Sequence, residues 1–459
     1  MGLDTSAGAQ PAKIHAGAAV IDITPQKLPV SMTGSFQDRQ ATAVHDRLNA
    51  RCVVLSDGHI KAAIVVCDSC LISRQIFDAA KKIASEKTGI PTNHMLMSAT
   101  HTHTAATTLA LAQCNPDADY VRFLTGQIAE SVIAAHNRLR PARVGWAVGK
   151  EPNEVSNRRW FVKPDAIRPN PFGRVDDQVR MNPPRGSDVL IKSAGPIDPD
   201  VSILSVQDAN GRPLALLANY SLHYVGGIPA NQLSADYFGE FARQIATRLK
   251  AEESFVGIMS NGTSGDVNNY NFQKPRPRAA PFERVRAVAR RISAVAHDAY
   301  KTIEHTDKIA LTMIERTIDL GVRRPKAVEV KRAKQLLANA ANPKRLNTDE
   351  LYAQETLRLA EYPAAVNIKL QVLRIGDLGI VAIPCEVFAQ IGLDIKRRSP
   401  LKHTFTIGLA NGYNGYLPTP RQHTLGGYET WRSGWSYLEE DASTKITKSL
   451  LEMIGDTDR

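Results

Sequence analysis

Five times along this chain a short apolar run of strand type ends at a polar cluster, and no other feature restricts the fold as much. MLMSAT runs into His101-Thr102-His103, LALLANYS into His223, FVGIMS into Asn261-Gly-Thr-Ser-Gly-Asp266, LGIVAIP into Glu386, and TFTIGLA into Asn411-Gly-Tyr-Asn-Gly-Tyr416. In α/β sheets, ligands collect in the crevice beyond the carboxyl ends of the strands. Five such endings would bring histidines, carboxylates and tyrosines around one point, and that mixture suits a zinc centre.

At 459 residues the chain is long enough for two or three domains or for one large α/β unit with insertions. Its apolar share of 43% is ordinary for a globular protein, and no run approaches the roughly 18 apolar residues of a membrane span. The net charge of +11 reads as a basic surface spread over a long chain, not a nucleic-acid footprint. Five cysteines cannot all pair within the chain, and Cys67-x-x-Cys70 lacks a second pair at zinc-knuckle spacing. Cys52, Cys67, Cys70, Cys114 and Cys385 are therefore expected to be buried, inert thiols. The opening MGLDTSAGAQPAK lacks a basic n-region and an apolar h-region, so residues 1–15 read as a flexible polar leader, with any signal peptide already removed.

Strands are expected at 17–24, 48–55 and 61–66, with a helix over 73–88 that groups Ile76, Phe77, Ala80, Ile83 and Ala84 and stops at Gly89. A second helix follows at about 119–138. Residues 161–196 are rich in Pro, Arg, Asp and Gly without periodicity, which predicts a long ordered loop or lid. VSILSV and LALLANYS flank Asn210-Gly211 as a hairpin, and a helix at 235–250 leads into the FVGIM strand. A basic stretch with Lys274, Arg276 and Arg278 opens a helix bearing Val285, Val288, Ile292 and Val295. Helical patterns at 326–341 and 349–361 predict an insertion spanning about 322–362, and a closing helix falls at 441–454. The alternation is that of an α/β fold, a mixed multi-stranded sheet with flanking helices and a metal site at the strand C-terminal ends.

His101 and His103 are two apart, so on an extended backbone both point the same way and either or both can face one ion. Zinc with three protein ligands and an open position lowers the pKa of its water to about 7 and makes hydroxide available to a carbonyl. Tyr416, flanked by Gly412 and Gly415, can complete such a shell or donate to an oxyanion.

Ser98-Ala-Thr-His-Thr-His-Thr104, Asn219-Tyr-Ser-Leu-His223, Gly265-Asp-Val-Asn-Asn269, Pro384-Cys-Glu386 and Tyr413-Asn-Gly-Tyr416 with Tyr428-Glu429 resemble, in order, the motifs of the neutral/alkaline ceramidases. The resemblance runs from about residue 15 to about 455. It implies that His101, His223, Glu386 and Tyr416 hold one zinc ion per chain, with His103, Arg158 and Tyr428 around the scissile carbonyl. It also implies hydrolysis of the amide of an N-acylated sphingoid base and a secreted, periplasmic or membrane-associated setting, although a cytoplasmic one stays open. The chain departs from the pattern in two places. Asn268-Asn269 stands where the family turn carries a serine, and residues 16–455 are expected to form a catalytic domain with no C-terminal immunoglobulin-like domain after it.

The expected mechanism gives proton transfer to Asp266 or His103, oxyanion stabilisation to Arg158 and Tyr428, and substrate contact to Asn268 and Arg159. With 6% aromatic residues and no evident apolar apron, the expected substrate is a small molecule more polar than ceramide that carries an amide or ester carbonyl. Alternatives are a zinc esterase or lactonase and a metal-stabilised binding protein. A two-metal phosphoesterase would want more carboxylates. No nucleic-acid partner is expected, and membrane contact, if any, is peripheral.

Overall fold

The computed structural model describes residues 11–275 and 278–457. Residues 1–10 of the expected leader and Arg276 of the basic stretch lie outside the described residues, while Ala12–Lys13 already pairs as a strand with Lys308–Ile309.

An eight-stranded sheet runs in the order Val256–Asn261, Pro213–Tyr220, Asp200–Asp208, Arg140–Lys150, His15–Asp22, Asn49–Ser56, Lys61–Cys67 and Met95–Ala99. Its inner pairings are antiparallel, but at each edge the outermost strand runs parallel to its neighbour. A second sheet, Leu311–Gly321, Ala365–Ile375, Leu378–Ala382 and His403–Ile407, also ends on a parallel pair.

Side-chain alternation along the strands sorts the core into layers. Val53 and Leu55 face a shared interior with Leu373, Ile375, Ile380 and Phe405 of the second sheet. Their neighbours Cys52 and Val54 face outward onto Phe77 and Ala80 of the helix Arg74–Thr88 and Leu124 and Ile128 of Ala118–His136. Leu216 and Ala218 meet the helices Asp236–Arg248 and Glu283–Tyr300 in the same way, and Val372 and Val381 meet Ala389–Arg398 and Ala442–Asp456. The result is two sheets packed face to face with helices on both outer faces. Each fully buried Val, Leu or Ile in these layers contributes about 1.5–3 kcal/mol.

The large mixed sheet and flanking helices agree with the expected class. Two details differ. The segment 161–196 is not loop throughout, because Arg159–Val162, Val179–Met181 and Leu190–Ser193 form a three-stranded sheet across it. Ile83, assigned to the apolar face of its helix, is exposed. The expected helical pair is present as Ala327–Ala338 and Thr348–Ala360, the second capped by Asn347, whose side chain accepts from Glu350 N.

The strand Arg140–Lys150 lies centrally and depends on glycine. A Cβ at Gly145 would collide with Ile303 Cγ2 and sit 3.0 Å from the Glu304 carbonyl oxygen. Gly145→Ala is expected to destabilise the fold by about 1–3 kcal/mol, read from the urea midpoint at unchanged m-value.

The parallel pairs send their carboxyl ends to one region, where the two sheets are stitched together. Asn261 Nδ2 donates to the Thr100 carbonyl at 2.9 Å and Asn219 Nδ2 to the Thr406 carbonyl at 3.1 Å. Ala99 N donates to Leu409 O at 3.2 Å, and Gly408 N to Asn261 O at 3.0 Å.

Candidate metal centre

His101 directly follows the edge strand Met95–Ala99 and Thr100, in a left-handed backbone conformation with φ 73°. Such a conformation is costly for a residue with a Cβ. It is held by His101 N donating to Ser69 O at 2.8 Å. His223 follows Pro213–Tyr220, and the turn after it is fixed by the Asp236 carboxylate, which accepts from Val225 N at 3.1 Å and Gly226 N at 2.9 Å. Glu386 follows Leu378–Ala382 and pairs in parallel register with Tyr416.

The hydrogen bonds of the three imidazoles define their protonation. Nδ1 of His101 lies 2.7 Å from Cys70 O, Nδ1 of His103 3.0 Å from Gly34 O, and Nδ1 of His223 3.1 Å from Ser264 O. A carbonyl oxygen can only accept, so each Nδ1 carries the proton and each neutral ring presents a bare Nε2. Those Nε2 atoms converge: His101 to His223 is 3.0 Å and His103 to His101 is 3.2 Å. Glu386 Oε2, buried and without a hydrogen-bond donor among the described residues, lies 3.2 Å from His101 Nε2 and 3.8 Å from His223 Nε2. Four acceptors therefore face one another.

A single extra proton can relieve only one of these contacts. Although burial opposes it, the Glu386 carboxylate raises His101 above the usual imidazole range, while burial and His101 itself lower His103 and His223 well below it. A divalent cation placed among His101, His223 and Glu386 would satisfy their lone pairs together. His101, His223 and Glu386 offer donor atoms within 4.8 Å of one another, the nitrogen and oxygen set of a metal site whose histidines are oriented through Nδ1.

Around this cluster the chain builds a wall of tyrosines and arginine. Tyr413 OH donates to Glu386 Oε1 at 3.0 Å. Tyr416 follows Gly415, at φ 76°, where a Cβ would lie 2.5 Å from the Trp435 carbonyl oxygen. Arg158 Nη2 donates to Tyr416 OH at 3.0 Å, its Nη1 stands 3.5 Å from His223 Nε2, and its Nε donates to Glu429 Oε1 at 2.8 Å. The Tyr428 ring lies 5.7 Å from that of Tyr416. A cavity of about 220 Å³ opens here, with His101, His103, Arg158, His223, Asn268, Glu386, Tyr416 and Tyr428 in its wall. Its remaining wall includes Phe36, Leu71, Leu111, Met181 and Trp435, an apolar surface assembled from scattered positions that no motif announces.

Arg159 and Asp266 stand elsewhere. Arg159 is fully buried and binds Glu429 Oε2 at 2.6 Å, Gln422 Oε1 at 2.8 Å and the Gly426 carbonyl, so it braces Glu429 and has no access to the cavity. Asp266, also buried, accepts from Ala389 N at 2.8 Å and Asn157 Nδ2 at 2.7 Å, outside the cavity wall. It joins chain segments and is not placed to exchange protons with a substrate. Residues that sequence reasoning passed over include Tyr224, stacked on His103 at 3.8 Å, and Gly34, which orients that ring through its carbonyl. Cys70 was expected to be inert; it is unpaired and buried, and its Sγ lies 3.7 Å from His101 Nδ1 at the cavity edge.

Burial pushes the Asp266 carboxyl up to about 6. A carboxyl with a raised folded pKa binds more protons folded than unfolded between about pH 4 and 6, so stability falls as pH rises through that window and levels off above it. The parent is expected to lose about 3 kcal/mol from this group across the window. In Asp266→Asn that slope should be absent from denaturation midpoints measured between pH 4 and 7.

The family described as neutral/alkaline non-lysosomal ceramidase, N-terminal, matches residues 14–275. The chain belongs to this family. This ceramidase-family chain is 24% identical to neutral ceramidases B and A of Dictyostelium discoideum over 274 and 276 residues, 55% of this chain and 35% of each relative. It is 22% identical to the neutral ceramidase of Pseudomonas aeruginosa over 480 residues, 90% of this chain and 68% of that protein. The alignment thus spans about a third of the length of the two Dictyostelium relatives. Among solved structures, a ceramidase complexed with C2 gives a TM-score of 0.72 at 17% identity, covering 96% of this chain and 75% of that one. The crystal structure of the P. aeruginosa neutral ceramidase gives 0.72 at 18%, covering 97% and 75%. These likenesses establish the shared ceramidase fold. No helix among the described residues is long and apolar enough to cross a membrane.

Proposed function

We propose that this chain is a zinc-dependent hydrolase that cleaves the amide of an N-acyl substrate with water, as its family membership suggests. The observation that carries the reading is the meeting of three bare imidazole Nε2 atoms with the donorless Glu386 Oε2 at the floor of the cavity. Zinc held by His101, His223 and Glu386, with Tyr416 beside them, would polarise a carbonyl and bring the pKa of water to about 7.

The chain's own groups supply the rest. His103, locked by Gly34 O and Tyr224, takes up a proton at Nε2 and returns it to the leaving amine. The guanidinium of Arg158, pinned by Glu429, and the hydroxyl of Tyr428 face the charge that develops on the carbonyl oxygen. Asn268 gives its Nδ2 to Asn182 Oδ1 at 2.6 Å, which leaves its carbonyl oxygen for a substrate donor. Met181 and Asn182, from within 161–196, shape the leaving-group side. Because Asn268 occupies the place of the family serine, water is the nucleophile. A cavity of about 220 Å³ with aromatic walls suits a compact acyl group, so the substrate as a whole is more polar than ceramide. The working compartment in this reading is secreted or periplasmic, and recovery of the native protein in the cytosol would overturn that part.

Zinc-loaded protein should be incubated with N-acyl amino acids, N-acyl amino sugars, short and long ceramides, esters and lactones, beside His101→Ala. Zinc-dependent release of amine from at least one amide is the expected outcome. Turnover of esters or lactones alone would make it an esterase, and one bound zinc without turnover of any substrate would make it a binding protein.

A further inference from the structure

On the other side of the wall that carries Asn268 and Tyr224 lies a larger cleft, about 760 Å³, bounded by Val225, Asn269 and a group of cations. We propose that this cleft is a second binding site, distinct from the metal centre, for an oxyanion of the phosphate class.

Two independent observations support the assignment. The first is charge. Lys274, Arg278, Arg284 and Arg291 line the cleft, and Glu154, fully buried behind it, binds both Arg284, at 2.7 Å, and Arg291. One carboxylate so placed fixes the two guanidiniums and offsets a single charge, which leaves the cleft cationic and its arginines ordered before any ligand arrives. Fixed guanidinium forks suit bidentate contact with phosphate oxygens.

The second is Asn269. It is 4% exposed, it lines the cleft, and neither its Nδ2 nor its Oδ1 has a hydrogen-bond partner among the described residues. Buried polar side chains are nearly always bonded, so an amide with both ends open marks a place for a ligand. Its two ends ask for a partner that both accepts and donates. A hydrogen phosphate ion or a singly protonated phosphomonoester presents bare oxygens to Nδ2 and a protonated oxygen to Oδ1, whichever way round the amide sits. The alternation that sends Asn268 into the catalytic cavity sends Asn269 into this cleft, so the two sites share one segment of chain without sharing side chains.

Inorganic phosphate is the probe, titrated calorimetrically into the full chain, with His101→Ala separating this site from any phosphate held at the metal centre. Saturable binding that persists in His101→Ala and weakens at least tenfold in Asn269→Leu and in Lys274→Gln/Arg278→Gln is the expected result. Asn269→Leu should fold, because it removes an unpartnered polar group, and its melting temperature without phosphate should equal or exceed the parent's. Sedimentation with vesicles of phosphatidic acid, whose headgroup is a phosphomonoester, or of phosphatidylcholine identifies the source of the phosphate. Retention on the anionic vesicles alone, lost in the same cleft variants, would assign the site to a lipid headgroup, and retention on neither would assign it to a free ion. Phosphate binding that disappears in His101→Ala, or that the cleft variants leave unchanged, would overturn the proposal whether or not the chain hydrolyses amides.

Discussion

Replacing His101 with alanine is expected to lower amide hydrolysis by more than roughly 100-fold, because loss of even an outer-shell partner of a metal ligand typically costs 10- to 100-fold. Metal content by mass spectrometry should fall with the activity. The stronger check is the response of stability to metal. In the ion-free protein burial works against the charge on Glu386, yet the carboxylate faces the raised His101 imidazole and the Arg158 guanidinium, and these hold its carboxyl below the usual glutamate value. Glu386→Gln gives up that charge, so the ion-free variant should be less stable than the ion-free parent. With metal the gap should widen, since a ligand at 100 times its Kd adds about 2.7 kcal/mol to the protein that binds it. Thermal melts of the two proteins, each with and without a chelator, measure all four states. A gap that metal leaves unchanged would show that the carboxylate serves the fold and not an ion.

The second large effect is expected at Glu429, where one fully buried carboxylate receives Arg158 Nε at 2.8 Å and Arg159 Nη1 at 2.6 Å. Glu429→Leu would take from two buried guanidiniums the carboxylate that both hydrogen-bond, a change that costs about 3–5 kcal/mol. A lower urea midpoint would register it. Burial works against the charge on Glu429, yet Arg159 and Arg158 hold its carboxyl below the usual glutamate value. Its contribution is therefore complete above about pH 4.3 and is lost as pH falls through the lower folded value. Glu429→Gln should lack that acid-limb loss. It should also lose activity, because Arg158 would no longer be pinned against Tyr416.

What could be read from the chain was what period and capping encode. The helix Arg74–Thr88 carries Ile76, Phe77, Ala80 and Ala84 inward and stops at Gly89, all visible as spacing. The hairpin at Asn210-Gly211 joins Asp200–Asp208 to Pro213–Tyr220 as its turn residues indicate. The strand Arg140–Lys150 escaped notice because RPARVGWAVGK packs partly through glycines, and a missing side chain leaves no apolar signal. Leu311–Gly321 escaped for another reason: along LTMIERTIDLG most side chains are only partly buried, so apolar and charged residues share the strand.

The same logic divides the site. His101 and His103 do meet at their Nε2 atoms, but the backbone at His101 is left-handed and not the extended run that the two-residue spacing assumed. Arg158 and Arg159 are adjacent, and consecutive residues of an extended chain point to opposite sides. One enters the cavity and the other braces Glu429 behind it, a distinction invisible until the backbone direction is known. The Gly34 carbonyl and the Tyr224 ring that orient His103 reach it through the tertiary fold and leave no local trace.

The stitches between the two sheets carry a practical consequence. The region that matches the family ends at residue 275, and Glu386, Tyr413, Tyr416, Tyr428 and Glu429 all come later in the chain. A fragment cut there would keep every imidazole of the cluster and lose the Glu386 carboxylate, the phenol groups of Tyr413, Tyr416 and Tyr428, and the anchor of Arg158. On the proposed reading, chelation would then report on completion of the whole molecule, and a nascent or proteolysed chain would betray itself by failing to retain metal.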